Sequence, residues 1–313
     1  MSDNQINVTL ATRKSQLAVA QSQIVAGMLE EVHPECKVSL VKFSTKGDRT
    51  AGPLNDAGGK GLFTAELETA LRTGEVDFAV HSAKDMPAKC APDLKIIAVP
   101  PRVDARDSIV SAIGSLGKLP AGATIGTGSL RRAALIKKLR PDLKAVPIRG
   151  NVQTRLARAI GNNADLDAVI LAQAGLDRSG LGFEYSHNIF PLDPTEFIPA
   201  GCQGLLAVQV CPNKLSEHLT RALSEISCDK SFAIFQAERS VLQALSASCN
   251  SCLAVHISHD TTSNCFHANA MVAKPDGSKM KFYRVSENSA LQAAKTLTEK
   301  MLTSGAKKIL SAD

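Results

Sequence analysis

Apolar positions along the chain repeat with two periods, one typical of strands and one typical of helices. Residues 6–11 alternate between apolar and polar, and the apolar residues of 17–29 then recur at helical spacing. Pro34 stops this helix, and residues 38–43 form the next predicted strand. The same strand, helix and strand recur in residues 123–148. The pattern therefore predicts two lobes of similar α/β build.

The C-terminal region has a different pattern. A helix over 232–245 precedes three short strand patterns and a final helix over 289–302, which predicts an α+β domain with an antiparallel sheet. Segments 100–104 and 197–201 are the candidate hinges. The predicted domains are lobe 1 (residues 1–101 and 202–222), lobe 2 (residues 104–199) and the C-terminal domain (residues 227–313).

Charge is distributed unevenly over the 313 residues. The net charge is +6, yet residues 120–160 alone hold nine Lys and Arg against one acid, Asp142, so we expect an anionic partner there. The chain has no Trp and two Tyr, which leaves few platforms for stacking nucleic-acid bases. A small polycarboxylate or phosphate therefore fits better than nucleic acid. No apolar run reaches the ~18 residues that span a bilayer, and no signal peptide is evident, so we expect a cytoplasmic protein with reduced thiols and no membrane partner.

Basic side chains lie at predicted junctions between strands and helices. Ser129 is a candidate N-cap, and Arg131 and Arg132 follow it in the first helical turn. Cations are unfavourable at a helix N-terminus, so their presence indicates a bound anion, although a solvated basic face is an alternative. Further junctions hold Arg13 with Ser15, and Arg149 with Arg155. Ligands of open α/β sheets bind beyond the carboxyl ends of strands, so these junctions are expected to line one cleft.

Two other short stretches carry candidate chemistry. Lys84 and Asp85 follow a predicted strand, where Asp85 either caps the turn before Pro87 or acts as the carboxylate that protonates a leaving group or stabilises a cation. Cys249 and Cys252 form a C-x-x-C pair. The sequence leaves a core thiol, a reactive thiol and a zinc site open for this pair, the last with His256, His259 and Cys265 nearby.

Several motifs together resemble those of the porphobilinogen deaminase family, also called hydroxymethylbilane synthases. In chain order they are ATRKSQLA, GGKGLF, VDFAVHSAKDMP, GTGSLRR, LRPDL, RGNVQTRL, AVILAQAGLDR, PAGCQG and QAERSVL. The resemblance runs from about Ile6 to the C-terminus. It implies two periplasmic-binding-protein-like α/β lobes and a smaller α+β domain, in a monomer that carries no metal. It also implies a transferase of haem biosynthesis that joins porphobilinogen units head to tail, releases ammonia and frees hydroxymethylbilane.

The resemblance further implies a covalent dipyrromethane cofactor, held as a thioether by Cys249. Asp85 would be the catalytic group that stabilises the cationic azafulvene formed as ammonia leaves. The carboxylates of the pyrroles would be bound mainly by arginine forks. The implied cofactor-binding residues besides Cys249 are Ser15, Lys84, Asp85, Ser129, Arg131, Arg132, Arg149 and Gly150. The implied substrate-binding residues are Arg13, Arg149, Arg155, Arg178 and Gln203. From this role we expect Arg131, Arg132, Arg149 and Arg155 to serve primer loading and chain extension rather than stability.

The sequence departs from the family pattern at three places. Ala247 and Ser248 precede Cys249 where the family usually has two glycines, Asp56 stands where a lysine is frequent, and Gly128 replaces a serine. These departures suggest two alternatives to the transferase. One is a non-catalytic carboxylate-binding module, and the other is a degenerate deaminase with a cysteine and zinc site.

Overall fold

The computed structural model describes residues 5–49, 61–247 and 251–311. The chain divides into two compact units. The first unit comprises Met1–Arg102 and Leu205–Phe235, and the second comprises Val103–Gly204 and Gln236–Asp313. No helix within the described ranges is long and apolar enough to cross a membrane.

Strands and helices alternate through most of the described chain. The strands are β1 (Ile6–Arg13), β2 (Cys36–Phe43), β3 (Phe78–Ser82), β4 (Lys95–Ala98), β5 (Asp107–Val110), β6 (Thr124–Gly126), β7 (Lys144–Val146), β8 (Ala168–Ala172), β9 (Ile189–Pro191), β10 (Leu206–Val210), β11 (Leu253–Asp260), β12 (Cys265–Val272) and β13 (Lys281–Glu287). The helices are α1 (Gln16–Val32), α2 (Lys46–Arg49), α3 (Ala65–Thr73), α4 (Leu130–Leu139), α5 (Val152–Ala157), α6 (Gln173–Arg178), α7 (Leu181–Glu184), α8 (Glu217–Glu225), α9 (Asp229–Ala244), α10 (Ala290–Thr303) and α11 (Ala306–Leu310).

The first unit is built on a mixed five-stranded sheet with the order β2-β1-β3-β10-β4. β1 is parallel to both β2 and β3, whereas β10 is antiparallel to β3 and β4. Helices α1 and α8 cover one face, where Val25, Leu29 and Leu223 pack on Leu10 and Phe78 of the strands. The parallel strands place Arg13 and Ser82 at the same edge of the sheet.

The second unit repeats this order with its own five strands, β7-β6-β8-β5-β9. β6 is parallel to β7 and β8, and β5 is antiparallel to β8 and β9. The segments after β6, β7 and β8 hold the Gly126–Arg132, Arg149–Arg155 and Gln173–Arg178 motifs. Their basic side chains therefore follow the carboxyl ends of three neighbouring parallel strands.

The C-terminal region forms the antiparallel sheet β11-β12-β13, covered by α10. Cys252, Ala254 and Met271 of this region share one hydrophobic core with Ile125 and Leu135 of the second α/β sheet. The predicted fold class, with two α/β sheets and a smaller antiparallel α+β part, is confirmed. The bounds predicted for the three domains stay predictions.

The predicted start of two helices is also confirmed. Ser15 caps α1 by accepting a hydrogen bond from Ala18 N at 3.3 Å, and Ser129 caps α4 by accepting one from Arg132 N at 3.4 Å. The strand that the sequence predicts before Lys84 and Asp85 is observed at Phe78–Ser82, so it extends directly into their turn.

Candidate functional site

In the first unit, a small pocket of about 60 Å³ forms at the carboxyl ends of β1 and β3. Arg13, Ser15 and Asp85 line it, so the structure brings Asp85 to two residues that lie 70 or more positions earlier in sequence. The Arg13 guanidinium lies 4.3 Å from the ring centroid of Phe63, a cation–π contact that orients it. Among the described residues that line the pocket, Asp85 supplies the carboxylate.

Asp85 ends a 3-10 turn over residues 83–85 and is half-buried. Close by in sequence, His81 is buried on β3, and its Nε2 lies 2.9 Å from Gln209 Oε1. The pKa of His81 is lowered to about 4, mainly by burial and to a smaller extent by the charge of Arg13, against the opposing effect of the Gln209 hydrogen bond. His81 is therefore neutral near pH 7, and Asp85 and Arg13 bring the charges to this pocket. Lys84 belongs to the same turn.

In the second unit, Arg131 and Arg132 of α4 both pair with Asp107, the first residue of β5. Arg131 Nη1 lies 2.7 Å from Asp107 Oδ2, and Arg132 Nη2 lies 2.6 Å from Asp107 Oδ1. Asp107 is completely buried and the two arginines are nearly so, at 3% and 7% exposure. Burial by itself would raise the pKa of Asp107, but the charges of Arg131 and Arg132 outweigh it and hold that pKa far below its ordinary value. Asp107 is therefore ionised at neutral pH.

The buried cluster is completed by backbone and amide partners. Arg131 donates to Ile198 O at 2.7 Å, Arg132 donates to Ile170 O at 2.9 Å, and Gln203 Nε2 donates to Asp107 Oδ1 at 2.9 Å. The two guanidiniums and one carboxylate leave a net charge of +1 in a buried cluster. Such an excess favours an additional anion at the helix start.

This cluster corrects one expectation from the sequence. The anion inferred from two arginines in the first turn of α4 includes a carboxylate of the chain itself, Asp107, which is 24 residues before Arg131 in sequence. Removing either arginine would break a buried ion pair with Asp107, so we expect Arg131 and Arg132 to contribute to stability as well as to ligand binding. Their predicted contacts with cofactor stay a prediction.

The other basic residues of the second unit lie in different surroundings. Arg149 is exposed, and Gly150 beside it has φ 104°, a left-handed conformation that glycine adopts readily. A Cβ at Gly150 would lie 2.8 Å from Thr154 Cγ2. Arg155 Nε donates to Gly150 O at 2.8 Å, which fixes the loop between β7 and α5. Arg149 is thus held on a defined loop with its side chain exposed to solvent.

Arg178, at the end of α6, donates to Gly204 O at 2.9 Å. Burial lowers the pKa of Arg178 to about 10, partly offset by the neighbouring Asp177. The guanidinium remains charged at neutral pH.

Cys252 is a core thiol. It is 2% exposed, and its Sγ donates to Leu130 O at 3.5 Å. Burial raises the pKa of Cys252 to about 11, although the charge of Arg131 opposes this. Because the thiolate is the nucleophile, Cys252 is unreactive at neutral pH. Cys249, the predicted anchor, lies outside the described residues, as does Asp56.

The neighbours considered for a zinc site at Cys252 lie along β11 and β12. His259 is seven residues from Cys252 along an extended strand, which corresponds to about 23 Å, and Cys265 pairs with Asp260 at that same distant end. His259 Nε2 lies 3.0 Å from Asn264 Oδ1, and His256 Nδ1 lies 3.8 Å from Glu238 Oε1. His259 and Cys265 are therefore too far away to bind one ion together with Cys252.

Sequence reasoning missed Asp107 and Phe63 as components of the two sites. Asp107 has no local motif that would connect it to α4, because only the pairing of β5 with β8 brings it under the arginines. Phe63 belongs to the quoted GGKGLF motif, but its contact with Arg13 depends on the tertiary fold.

Comparison with known proteins gives a consistent result. Residues 8–217 match a family model described as "Porphobilinogen deaminase, dipyromethane cofactor binding domain". Among curated relatives, porphobilinogen deaminase of Sorangium cellulosum is 40% identical over 276 residues, covering 88% of this chain and 89% of the relative. The protein of the same name from Thiobacillus denitrificans is 37% identical over 309 residues, covering 97% and 98%. Among solved structures, the chain is similar to the periplasmic aliphatic sulphonate binding protein SsuA from Escherichia coli, with a TM-score of 0.41 and 15% identity, covering 95% of this chain and 87% of that one.

Proposed function

This chain belongs to the porphobilinogen deaminase family, and we propose that it joins porphobilinogen units head to tail, releases ammonia at each addition and yields hydroxymethylbilane. The observation that carries the proposal is the buried cluster of Arg131, Arg132 and Asp107, with its net positive charge at the start of α4. Each porphobilinogen unit brings two carboxylates, so the growing product needs positive groups of this kind.

The residues of the second unit fit a polycarboxylate cofactor. The charge excess at Arg131 and Arg132 and the exposed Arg149 supply positive groups, and the left-handed backbone at Gly150 holds the Arg149 loop in place. The family's dipyrromethane, when bound, supplies the pyrrole carbon to which the first substrate unit is added. The residues that we propose to hold it are Cys249, Ser15, Lys84, Asp85, Ser129, Arg131, Arg132, Arg149 and Gly150. Those that we propose to bind substrate are Arg13, Arg149, Arg155, Arg178 and Gln203.

Asp85 is the proposed catalytic residue. A carboxylate stabilises the positive charge that develops on the substrate as ammonia leaves, and it also accepts hydrogen bonds from pyrrole N–H groups. Its position in the same pocket as Arg13 and Ser15 supports this role, because those side chains can hold substrate carboxylates beside it. The neutral state of His81 supports it further, since His81 adds no positive charge that would oppose the developing cation.

The test replaces Asp85 by Asn and measures ammonia release from porphobilinogen. The substitution keeps the size of the side chain and removes its charge, so turnover should fall by about two orders of magnitude or more. The matched control is Asp93→Asn, which removes an exposed carboxylate of the same unit that pairs with Arg72, and it should keep normal turnover. Near-normal ammonia release from folded Asp85→Asn protein would refute the assignment.

Cys249 is the proposed anchor of the cofactor. The high pKa and burial of Cys252 support this choice, because they make the other thiol of the pair unreactive. The purified chain should exceed its sequence mass by two linked pyrrole units. Trypsin does not cleave between Lys274 and Pro275, so fragmentation of the tryptic peptide Ser240–Lys279 should place the added mass on Cys249. An unmodified chain that contains zinc and releases no ammonia would instead support the degenerate deaminase. An unmodified chain that binds carboxylates without turnover would support the binding module.

We further propose that the protein acts as a cytoplasmic monomer without a nucleic-acid partner. The free thiols that the structure describes, among them Cys36 and Cys202, support a reducing compartment. The scarcity of aromatic residues, 4% of the chain, supports a small anionic ligand rather than stacked bases.

A further inference from the structure

Side chains with metal-ligand chemistry gather at the amino-terminal edge of the first unit's sheet. Glu35 and Cys36 lie at the start of β2, and His218 lies in the first turn of α8. Their ligand atoms, a carboxylate oxygen, Sγ and an imidazole nitrogen, all lie within 4.8 Å of one another. Glu35 Oε1 is 3.5 Å from His218 Nε2.

A second imidazole holds the carboxylate of this cluster in place. His33 Nδ1 lies 3.2 Å from Glu35 Oε1, and His33 Nε2 lies 2.9 Å from Glu225 Oε2. Hydrogen-bonded partners of this kind orient metal ligands and are required for high affinity. The rings of His33 and His218 have centroids 6.1 Å apart, so two imidazoles flank the same carboxylate.

The spacing suits a tetrahedral ion. Zn²⁺ binds nitrogen and oxygen at ~2.0–2.2 Å and sulfur at ~2.3 Å, which separates neighbouring ligand atoms by about 3.3–3.7 Å. The distance between Glu35 and His218 falls in this range, and Sγ of the buried Cys36 lies within 4.8 Å of both of their ligand atoms. We propose that Glu35, Cys36 and His218 form a binding site for a divalent cation of the zinc class, with solvent completing the coordination. On binding, the Cys36 thiol gives its proton to solvent, so that the thiolate is the ligand.

The location separates this site from the proposed chemistry. Cys36 pairs with Ile6 at the amino ends of β2 and β1, whereas Arg13 stands at the opposite end of β1. Seven residues of extended strand separate those ends, or about 23 Å. The ligands come from β2 and from α8, which are far apart in sequence, so a bound ion cross-links them. Its expected role is therefore to stabilise the first unit rather than to take part in the reaction.

The experiment titrates the purified full-length protein with Co²⁺, in place of Zn²⁺, and records the visible and near-ultraviolet absorption. Wild type should show tetrahedral d–d bands and a thiolate-to-cobalt charge-transfer band, both abolished by added Zn²⁺. His218→Ala should weaken Co²⁺ binding at least about tenfold. Removing a residue that only hydrogen-bonds to a metal ligand already costs about tenfold in affinity, and His218 is proposed as a ligand itself. His218 is half-exposed, so the variant is expected to fold.

Two further variants make the result specific. His187→Ala removes an exposed histidine of the second unit and should bind Co²⁺ as wild type does. Cys249→Ser should also keep the charge-transfer band, because Cys249 is not among the three proposed ligands. Equal Co²⁺ binding by wild type and His218→Ala would overturn the proposal, and so would loss of the band in Cys249→Ser. Neither outcome depends on ammonia release, so the proposed transferase function stands or fails separately.

Discussion

Replacing Asp107 by Asn tests whether the buried cluster of Arg131, Arg132 and Asp107 is required for stability. The amide keeps the shape of the side chain but removes its charge, and its NH₂ group faces guanidinium donors instead of accepting from them. Asp107 is completely buried and makes ion pairs of 2.6 and 2.7 Å. Breaking a buried ion pair by removing one partner costs about 3–5 kcal/mol, so we expect the free energy of unfolding of the second unit to fall by that amount.

The assay is urea unfolding followed by far-ultraviolet circular dichroism, since the chain has no Trp. With a slope of ~1–3 kcal/mol per molar urea, the expected loss lowers the unfolding midpoint by at least about 1 M. Asp104→Asn is the matched control. Asp104 lies three residues before Asp107 and pairs with Arg106 at 2.6 Å. The side chains of Asp104 and Arg106 are 26% and 43% exposed, however. An exposed pair of this kind contributes about 0–1 kcal/mol.

The pH dependence provides an independent check of the same cluster. The folded-state pKa of Asp107 lies far below its ordinary value of 3.8, because Arg131 and Arg132 overcome the opposing effect of burial. The stability that Asp107 contributes is therefore fully present above pH 3.8 and is lost as the pH falls from there through the folded-state pKa. The difference in midpoint between wild type and Asp107→Asn should be constant from pH 8 to about 5 and shrink below about 4. Equal losses in the Asp104 and Asp107 variants would refute the reasoning.

Three other experiments test further parts of the structure. Arg149→Leu should leave the free energy of unfolding within about 0.5 kcal/mol of wild type, because Arg149 is exposed, yet impair cofactor loading or chain extension. The reverse result would indicate a structural role. Cys252→Ser should carry the cofactor and be active, whereas Cys249→Ser should be unmodified and inactive; intact mass and ammonia release are the measurements. Loss of activity in both variants would indicate a metal or dithiol pair. Gly128→Ser should lower stability by about 1–3 kcal/mol in urea unfolding, because its Cβ would lie 2.9 Å from Ile148 O. Gly117→Ser, with no atom within 4 Å of the new Cβ, is its control and should lose clearly less.

The sequence predicted the elements of the fold well because their periodicity is local. The strand, helix and strand of each lobe, and the caps Ser15 and Ser129, follow from spacing within about thirty residues. The position of β10 between β3 and β4, and that of β5 between β8 and β9, were not predictable in this way. Both are antiparallel strands whose partners are distant in the chain, and no local pattern specifies such a pairing.

The features of the candidate site were likewise predictable where they depend on local motifs and not where they depend on tertiary packing. The residues at the carboxyl ends of β1 and β3 were predictable from their motifs, and the structure places Arg13, Ser15 and Asp85 on one pocket. The burial of Cys252 was not predictable, because the spacing of a C-x-x-C pair is the same whether its thiols are exposed or buried. Its burial under Leu130 is a consequence of the core shared by β11 and the second α/β sheet.

The arginines of α4 show how an inference from sequence can be right about an anion and miss one of its sources. Two cations at a helix N-terminus do require an anion, and the structure provides one in Asp107. A single carboxylate neutralises only one of the two guanidiniums, however, so the described part of the chain supplies half of the negative charge that the pair requires. The remaining positive charge is buried, where it is costly without a partner. A carboxylate brought by the cofactor would balance it, and Asp107 would then fix the orientation of both arginines before that carboxylate binds. With the cofactor contacts proposed for Arg131 and Arg132, stability and ligand binding depend on the same pair of side chains. Asp107→Asn is then expected to weaken both, whereas Arg149→Leu is expected to weaken ligand binding alone.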